Sequence, residues 1–327
     1  MSGYAIALLN MGGAANNKEV PLFLRNMFRD RHILRIGFRP LRYFLAWIIA
    51  LRRKSQALAH YALIGERSPL LSHARSLADK LSKIAAAPVF LVMRYAPPFT
   101  DEAVKAIKAS GADKLVLLPL YPQYSTATTL SSLECFYDEM KKISFGLPIA
   151  VVDRFYDHPT YNACIVDEIK AALESKNSNE FALIFSAHGL PQSVIDKGDP
   201  YQRECEAHVQ ILSKRLTLEN IDFETIRLAY QSKVGPLKWI TPSLDLVIND
   251  LHSKGARKLL IVPLSFTIDN LETDYELSIE YYNRAKEKGY EEVLIARCPN
   301  DSDRFALALS ELANAAAIVA FPNKRER

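Results

Sequence analysis

Two similar, doubly wound (Rossmann-like) α/β domains with parallel sheets are the fold class that this sequence predicts. Three features point to it. Short apolar runs alternate with longer amphipathic ones along the chain, helix-start signals stand before the amphipathic stretches, and two regions of the chain match each other without gaps. A parallel sheet covered by helices on both faces requires such alternation, because its strands are buried on both sides and are joined through crossover helices.

The strand-like runs are, in order, YAIALLNM, PVFLVMRY, KLVLLPLY, PIAVVD, FALIFSA, ETIRLAY, RKLLIVPLSF and EEVLIAR. Between them, Ser68-Pro69 opens LLSHARSLADKL, Thr100-Asp101-Glu102 opens AVKAIKAS, and Thr241-Pro242 opens SLDLVINDL, all residue types suited to a helix start. GADKLVLLPLYPQYS (Gly111 to Ser125) lines up on GARKLLIVPLSFTID (Gly255 to Asp269), and the helices before them match as well, Asp101 with Asp245. YAIALLNMG likewise aligns with FALIFSAHG, which sets Met11 and His188 at equivalent strand ends. The shared valine and leucine enrichment of parallel strands is the competing explanation. Read as a duplication, the chain divides into an N-terminal domain at 1–157, a C-terminal domain at 158–303, and a helix over 304–327 packing back on the first domain. Ligands of such sheets bind beyond the carboxyl ends of the strands, here in a cleft between the two domains. Those ends carry Met11, Arg94, Tyr95, residues 121–125, His188, Gln231, Ser232, Lys233 and residues 265–269.

Bulk properties remove several classes of function. With 327 residues, 49% of them hydrophobic, the chain can bury a large core. Lys and Arg exceed Asp and Glu by only 4 and no basic run is interleaved with aromatics, so nucleic acid is not an expected partner. Cys135, Cys164, Cys205 and Cys298 lie far apart, without a C-x-x-C pair, and read as buried, reduced cysteines rather than zinc or iron–sulfur ligands. The first residues lack the charged lead of a signal peptide, which makes the cytoplasm the expected location. Arg31 to Lys54 has membrane character, but its uninterrupted apolar stretch, Tyr43 to Leu51, is far below the ~20 residues of a span. Arginines bracketing its aromatic residues suit a helix lying in a membrane interface or the lip of an apolar cleft; an ordinary core-packed amphipathic helix is the alternative. No G-x-G-x-x-G, G-x-x-x-x-G-K-[ST] or G-x-S-x-G motif stands where nicotinamide, nucleotide or serine-hydrolase chemistry would need it.

Three groups of residues can carry chemistry. His188, in FSAHGLP, follows an apolar strand and precedes Gly189 and Pro191; a neutral imidazole there can hold a divalent metal or accept a proton. Asp269, Glu272, Glu276 and Glu280 recur at helical spacing and share one face, where clustered carboxylates raise one another's pKa; a solvated acidic face is the alternative. Arg52 and Arg53 close the apolar lip segment and Arg94 ends a strand, a pattern suited to an amphiphile with carboxylate tails. Tyr95, Tyr121, Tyr124 and Trp239 can supply flat walls for a planar ring, or plain packing.

At this point the chain resembles the ferrochelatase family, in the segments LLNMGG (8–13), ERSP around Ser68, MRYAPP (93–98), LPLYPQYSTAT (118–128), FSAHGLPQSVIDKGDPY (185–201), YQSKVGPLKW (230–239) and PLSFTIDNLET (263–273). The match keeps its order over most of the chain, and FSAHGLP with GDPY, SKVGP-x-x-W and ET-x-x-E is specific in combination. The resemblance implies a two-domain chelatase-like fold and the insertion of Fe²⁺ into protoporphyrin IX, giving protohaem and two protons, with iron as substrate and no prosthetic group. It implies that His188 and Glu272 face each other across the macrocycle as catalytic and metal-contacting residues, with Glu276 behind the glutamate. It places Met11, Arg94, Tyr95, Tyr121, Ser125 and Trp239 along the porphyrin cleft, and Arg52, Arg53 and Ser68 near the propionates and lip. Asn270 departs from the histidine that many members carry two residues before the key glutamate, which removes one candidate ligand or proton carrier. The chain ends FPNKRER without the cysteine cluster some relatives use, so no iron–sulfur cluster is expected.

Imidazole chemistry leaves open whether His188 is base or first iron ligand. Insertion of another metal or into another tetrapyrrole, such as cobalt or coproporphyrin, and non-catalytic porphyrin carriage are the rival functions. Peripheral contact with a membrane is an expected interaction, and a monomer the favoured state.

Overall fold

The computed structural model describes residues 3–232 and 237–322; Lys233, named above at a strand end, lies outside them with residues 234–236 and 323–327. The chain forms two compact units. One runs through Tyr121, resumes at Ser125–Phe155, and takes the chain again from Asp301; the other comprises Pro122–Tyr124 and Tyr156–Asn300.

The first unit is built from β1 (Ala5–Asn10), α1 (Val20–Arg29), α2 (Arg39–Leu63), α3 (Leu70–Ala85), β2 (Val89–Met93), α4 (Thr100–Ala109), β3 (Leu115–Pro119), α5 (Ser131–Lys142) and β4 (Ile149–Val151). In the second follow α6 (Pro159–Leu173), β5 (Phe181–His188), α7 (Gln192–Ile195), α8 (Tyr201–Leu218), β6 (Thr225–Gln231), α9 (Leu244–Ser253), β7 (Lys258–Pro263), a π-helical stretch Glu272–Tyr281 leading into α10 (Tyr282–Lys288), and β8 (Glu292–Ile295). Helix α11 (Asp303–Ala320) returns to the first unit and packs on α3, β3 and β4.

Each unit holds a four-stranded parallel sheet, in the order β2-β1-β3-β4 and β6-β5-β7-β8. These are the same arrangement, and the registers agree too: Leu9 stands opposite Pro119 as Ser186 stands opposite Pro263. The gapless sequence match pairs these same residues, Leu9 with Ser186 and Pro119 with Pro263. Both prolines end their strands, having no N–H with which to extend the ladder.

The central strands read as continuous apolar runs because both faces are covered: β1 and β3 are buried throughout, and β5 is buried up to Ala187. On one face of the first sheet, Ala7, Leu9 and Leu117 pack with Val104, Ile107, Phe136 and Met140 from α4 and α5. In the second, Ile184 and Ile261 meet Leu244, Ile248 and Leu251 of α9 and Leu277 of the π-helical stretch. What remains for chemistry is the carboxyl end of each strand, where side chains leave the core.

Among the described residues no helix is long and apolar enough to cross a membrane. Helix α2 instead leaves Leu41, Phe44, Trp47 and Leu51 exposed, with Phe38 just before it.

Helix α11 is fastened at its start, where the Asp301 carboxylate pairs with His73 Nδ1 at 2.7 Å and accepts the Ser76 hydroxyl, both from α3. Phe305, one turn on, is fully buried. Phe305→Ala is predicted to destabilise this unit by about 3–5 kcal/mol, the usual cost of deleting a buried aromatic side chain. Urea denaturation followed by circular dichroism measures it, and a loss below 1 kcal/mol would show that α11 is not part of the core.

Candidate active site

His188 is the last residue of β5, and its imidazole leaves the sheet where the strand ends. Both backbone groups are held: its N–H donates to Ser265 Oγ at 2.8 Å, and Tyr201 donates its phenol to the His188 carbonyl at 2.9 Å. The next residue must be glycine, since a Cβ on Gly189 would lie 2.5 Å from the Gln231 carbonyl and 3.2 Å from the Trp239 ring. Trp239 thus packs directly beside the histidine's own strand end. The imidazole stands edge-on to Phe266, and Nδ1 lies 3.5 Å from Glu272 Oε2. About a third of each side chain is exposed, while His188 Nδ1 itself is buried on the Glu272 side.

Glu272 opens the π-helical stretch, and Asn270 caps it: the Asn270 Oδ1 accepts the Glu272 N–H at 2.8 Å, and its carbonyl accepts the Asp274 N–H at 2.9 Å. Asn270 therefore fixes the start of the stretch that carries Glu272. One turn on, Glu276 is held by three donors, the Ser232 N–H at 2.8 Å, the Ser232 hydroxyl at 2.6 Å and Gln231 Nε2 at 3.3 Å. Ser232 accepts this with a left-handed backbone, φ +65°, a conformation that costs an L residue about 1 kcal/mol or more. Ser186 completes the arrangement by donating to Gln231 Oε1 at 2.7 Å. Burial, and secondarily the nearby charge of Glu272, push the Glu276 carboxyl up to about 7, against the hydrogen bonds and His188, which lower it.

The structure corrects the four-carboxylate stripe. Asp269 is buried and spent on Arg297 Nε at 2.6 Å, Asn300 Nδ2 at 2.7 Å and the Cys298 N–H at 3.2 Å. Glu280 pairs with Arg284 on the exposed side. The π winding changes the residues per turn, so α-helical spacing does not describe which side chains share a face. Glu272 and Glu276 are the two that accompany His188. Among the described residues no group of three or more His, Cys, Asp or Glu side chains is gathered to hold a metal, so the donors on offer here are one imidazole and one carboxylate. The cysteines are free, with Cys135 partly exposed rather than buried.

In the other unit a carboxylate that sequence reasoning missed, Asp30, organises the strand ends. It is buried, pairs with Arg94 at 3.0 Å, and accepts the hydroxyls of Tyr95 at 2.7 Å and of Ser131. Burial alone would raise its pKa; Arg94 and these hydrogen bonds outweigh it and hold the carboxyl below its usual value. Tyr95 and Ser125, each 1% exposed, offer no surface to a ligand in this conformation, contrary to the expectation of ring contacts. Tyr95 braces Asp30, and Ser125 Oγ accepts the Ala127 N–H at the start of the following helical turn. Tyr121 is also buried, its hydroxyl against Ser132 at 3.3 Å. Ser68 is buried as well, accepting the Leu70 N–H and filling the space where a Cβ on Gly13 would sit, 2.6 Å from its Oγ, so it is not an exposed lip residue. Met11 and Arg94 remain partly exposed at the ends of β1 and β2, Arg52 lies exposed on α2, and Arg53 covers the Phe28 ring at 5.8 Å.

The chain matches the family model described as Ferrochelatase over residues 3–317. It is 47% identical over 309 residues to the protein named Ferrochelatase of Wolinella succinogenes, covering 94% of this chain and 97% of that one. It is 44% identical over 315 residues to the Ferrochelatase of Sulfurimonas denitrificans, covering 95% and 98%. Among solved structures it is similar to "SirB from Bacillus subtilis with Fe3+", with a TM-score of 0.59 at 11% identity over 96% of each chain. A second neighbour is the sirohydrochlorin chelatase SirB from Bacillus subtilis subspecies spizizenii in complex with cobalt, with a TM-score of 0.52 at 9% identity over 76% of this chain and 89% of that one. At such identities the structural likeness speaks for the fold.

A carboxyl at about 7 in the folded state, against 4.5 ordinarily, binds its proton more tightly folded than unfolded. Glu276 therefore favours the fold fully below its unfolded value, and that contribution is lost as pH rises from about 4.5 to 7, by at most about 3 kcal/mol. Glu276→Gln is predicted to remove this downward limb. Urea midpoints of both proteins between pH 4.5 and 8 check it, and parallel curves would show that Glu276 does not titrate in this range.

Proposed function

The chain belongs to the ferrochelatase family, whose reaction is the insertion of ferrous iron into protoporphyrin in haem synthesis, and from this premise we propose that His188 accepts the pyrrole protons while Glu272 receives the iron. The observation that carries this reading is the 3.5 Å approach of His188 Nδ1 to Glu272 Oε2, with Glu276 next along the same helix.

Inserting a divalent metal displaces two N–H protons from the ring, so the reaction needs a proton acceptor beside a cation donor. A neutral imidazole is the former and an ionised carboxylate the latter. Iron held at Glu272 stands next to the histidine that unmasks the ring nitrogens, and the two positive charges of the arriving ion are balanced by the two departing protons. Glu276, with its carboxyl poised near neutrality, takes protons onward from the pair. Binding energy from the rest of the macrocycle supplies the bending that exposes the nitrogen lone pairs. To that binding we assign Trp239, packed over Gly189, and the partly exposed Met11 and Arg94, with Arg52 and Arg53 for the propionates and the buried Tyr121 as a support. Tyr95, Ser125 and Ser68 act behind them as supports.

His188→Ala is predicted to abolish haem formation from protoporphyrin IX and Fe²⁺ under anaerobic conditions while porphyrin binding, read by fluorescence quenching, persists. Near-normal turnover would remove His188 from the mechanism. Loss of ferrous-iron binding together with turnover would make it a ligand rather than a base.

We place the enzyme in the cytoplasm with peripheral contact to the membrane. Residues 20–65 hold nine of the chain's 41 Lys and Arg residues but only Asp30 of its 37 Asp and Glu, so this stretch is net +8 and the remainder net −4. Between α1 and α2, Lys18, Arg25 and Lys54 ring a cavity of about 330 Å³ floored by Leu22, Trp47 and Leu51. An apolar stripe rimmed by cations matches an anionic leaflet, at about 1 kcal/mol per basic residue at the surface. The protein is predicted to co-sediment with vesicles containing phosphatidylglycerol, to release in about 0.5 M salt, and to ignore pure phosphatidylcholine. Trp47→Glu should weaken the binding at unchanged activity in detergent; equal binding to neutral vesicles would refute the charge-based contact.

A further inference from the structure

Two of the segments that carry the resemblance, GDPY and PLSF, are given no task by the chemistry above. We infer that Tyr201 and Ser265 are positioning residues that clamp the two backbone groups of His188 and so fix the imidazole against Glu272. The inference rests on the reading of His188 as the acting base.

The need for such a clamp comes from the sheet. Strand β7 ends at Pro263, and the last ladder bond it gives β5 runs from the Leu264 N–H to the Ser186 carbonyl at 2.8 Å. His188 therefore projects beyond its neighbour on that side, and the Leu264 carbonyl is already taken by Gln123 Nε2 at 3.3 Å. Side chains replace the missing backbone. The His188 N–H donates to Ser265 Oγ at 2.8 Å, and Tyr201 donates its phenol at 2.9 Å to the His188 carbonyl. On the opposite edge the Gly189 N–H reaches the Gln231 carbonyl at 2.9 Å. The peptide groups on either side of the histidine are thereby fixed.

GDPY acquires a physical task from this. Gly198, at φ +93°, turns the chain; the Asp199 carboxylate accepts the Tyr201 N–H at 3.1 Å; and Pro200 leads into α8, of which Tyr201 is the first residue. The phenol is delivered to His188 by an eighteen-residue helix and not by a loop. Both bonds hold the backbone of one residue, so loss of either leaves the strand end beyond β7 secured by a single side chain. Freed, the histidine can drift from the 3.5 Å approach to Glu272, and a displacement of about 1 Å can cost about a hundredfold in rate.

The test is steady-state iron insertion by Tyr201→Phe, Ser265→Ala, the double variant and Ser265→Thr, with His188→Ala alongside and thermal melts to verify folding. Each single variant should lose about tenfold to a hundredfold in kcat with the KM for protoporphyrin unchanged. The double variant should lose less than the product of the two single losses, because both bonds hold the same residue and therefore couple, and Ser265→Thr, which restores a hydroxyl, should recover most of the rate. If Ser265→Ala fails to fold, Tyr201→Phe, which keeps every ring carbon, decides alone. Full kcat in Tyr201→Phe, or additive losses accompanied by a rising KM, would overturn the clamp. An inactive His188→Ala beside fully active clamp variants would remove the clamp and leave the base in place. An active His188→Ala would bring down the base, and the clamp with it.

Discussion

The candidate site depends on keeping two carboxylates and an imidazole together at the edge of an apolar core. Like charges one helical turn apart repel, and burial makes each more costly, so the cluster exists only because donors are supplied for it. Glu276 receives three, from Gln231 and Ser232 at the end of β6. Glu272 is left with His188 as its near neighbour and with access to solvent. The sheet thus produces two carboxylates of different character from one sequence pattern: one enclosed and proton-binding, one open and available to a cation.

That asymmetry is set by backbone geometry as much as by composition. The π-helical stretch places Leu277 in the core and Glu276 against Ser232, while Asn270 fixes where the winding begins. π-helical turns are uncommon and collect at functional sites, where an extra residue per turn re-aims side chains that an α-helix would point elsewhere. The positive φ of Ser232 belongs to the same economy of space: it turns both the N–H and the hydroxyl of one residue toward one carboxylate.

Much of this was legible in the residues. All eight strand-like runs became strands, since parallel strands announce themselves by unbroken apolar stretches, and the internal match foresaw the shared register of Leu9–Pro119 and Ser186–Pro263. His188 ends one such run and Glu272 belongs to the acidic stretch that follows another, and the structure sets the two 3.5 Å apart. The acidic stripe was misjudged because helical spacing was assumed where the winding is π, and because Asp269 is consumed by Arg297 and Asn300, partners about thirty residues on that no local pattern reveals. Asp30 escaped for a similar reason: its partners Arg94, Tyr95 and Ser131 are more than sixty residues away, and a single acid in a basic stretch looks like a surface charge. An aromatic residue at a strand end can face a ligand, but Tyr95 is buried because its hydroxyl is committed to that same acid.

Helix α11 carries a consequence for how the molecule is made. It packs on α3, β3 and β4, yet it follows the whole of the other unit in the chain. During synthesis the later-made unit, with His188, Glu272 and Glu276, has its sheet complete while the earlier one still waits for its last helix. Until that helix arrives, the apolar surface it covers stays open, and the nascent protein is vulnerable on the side that was translated first.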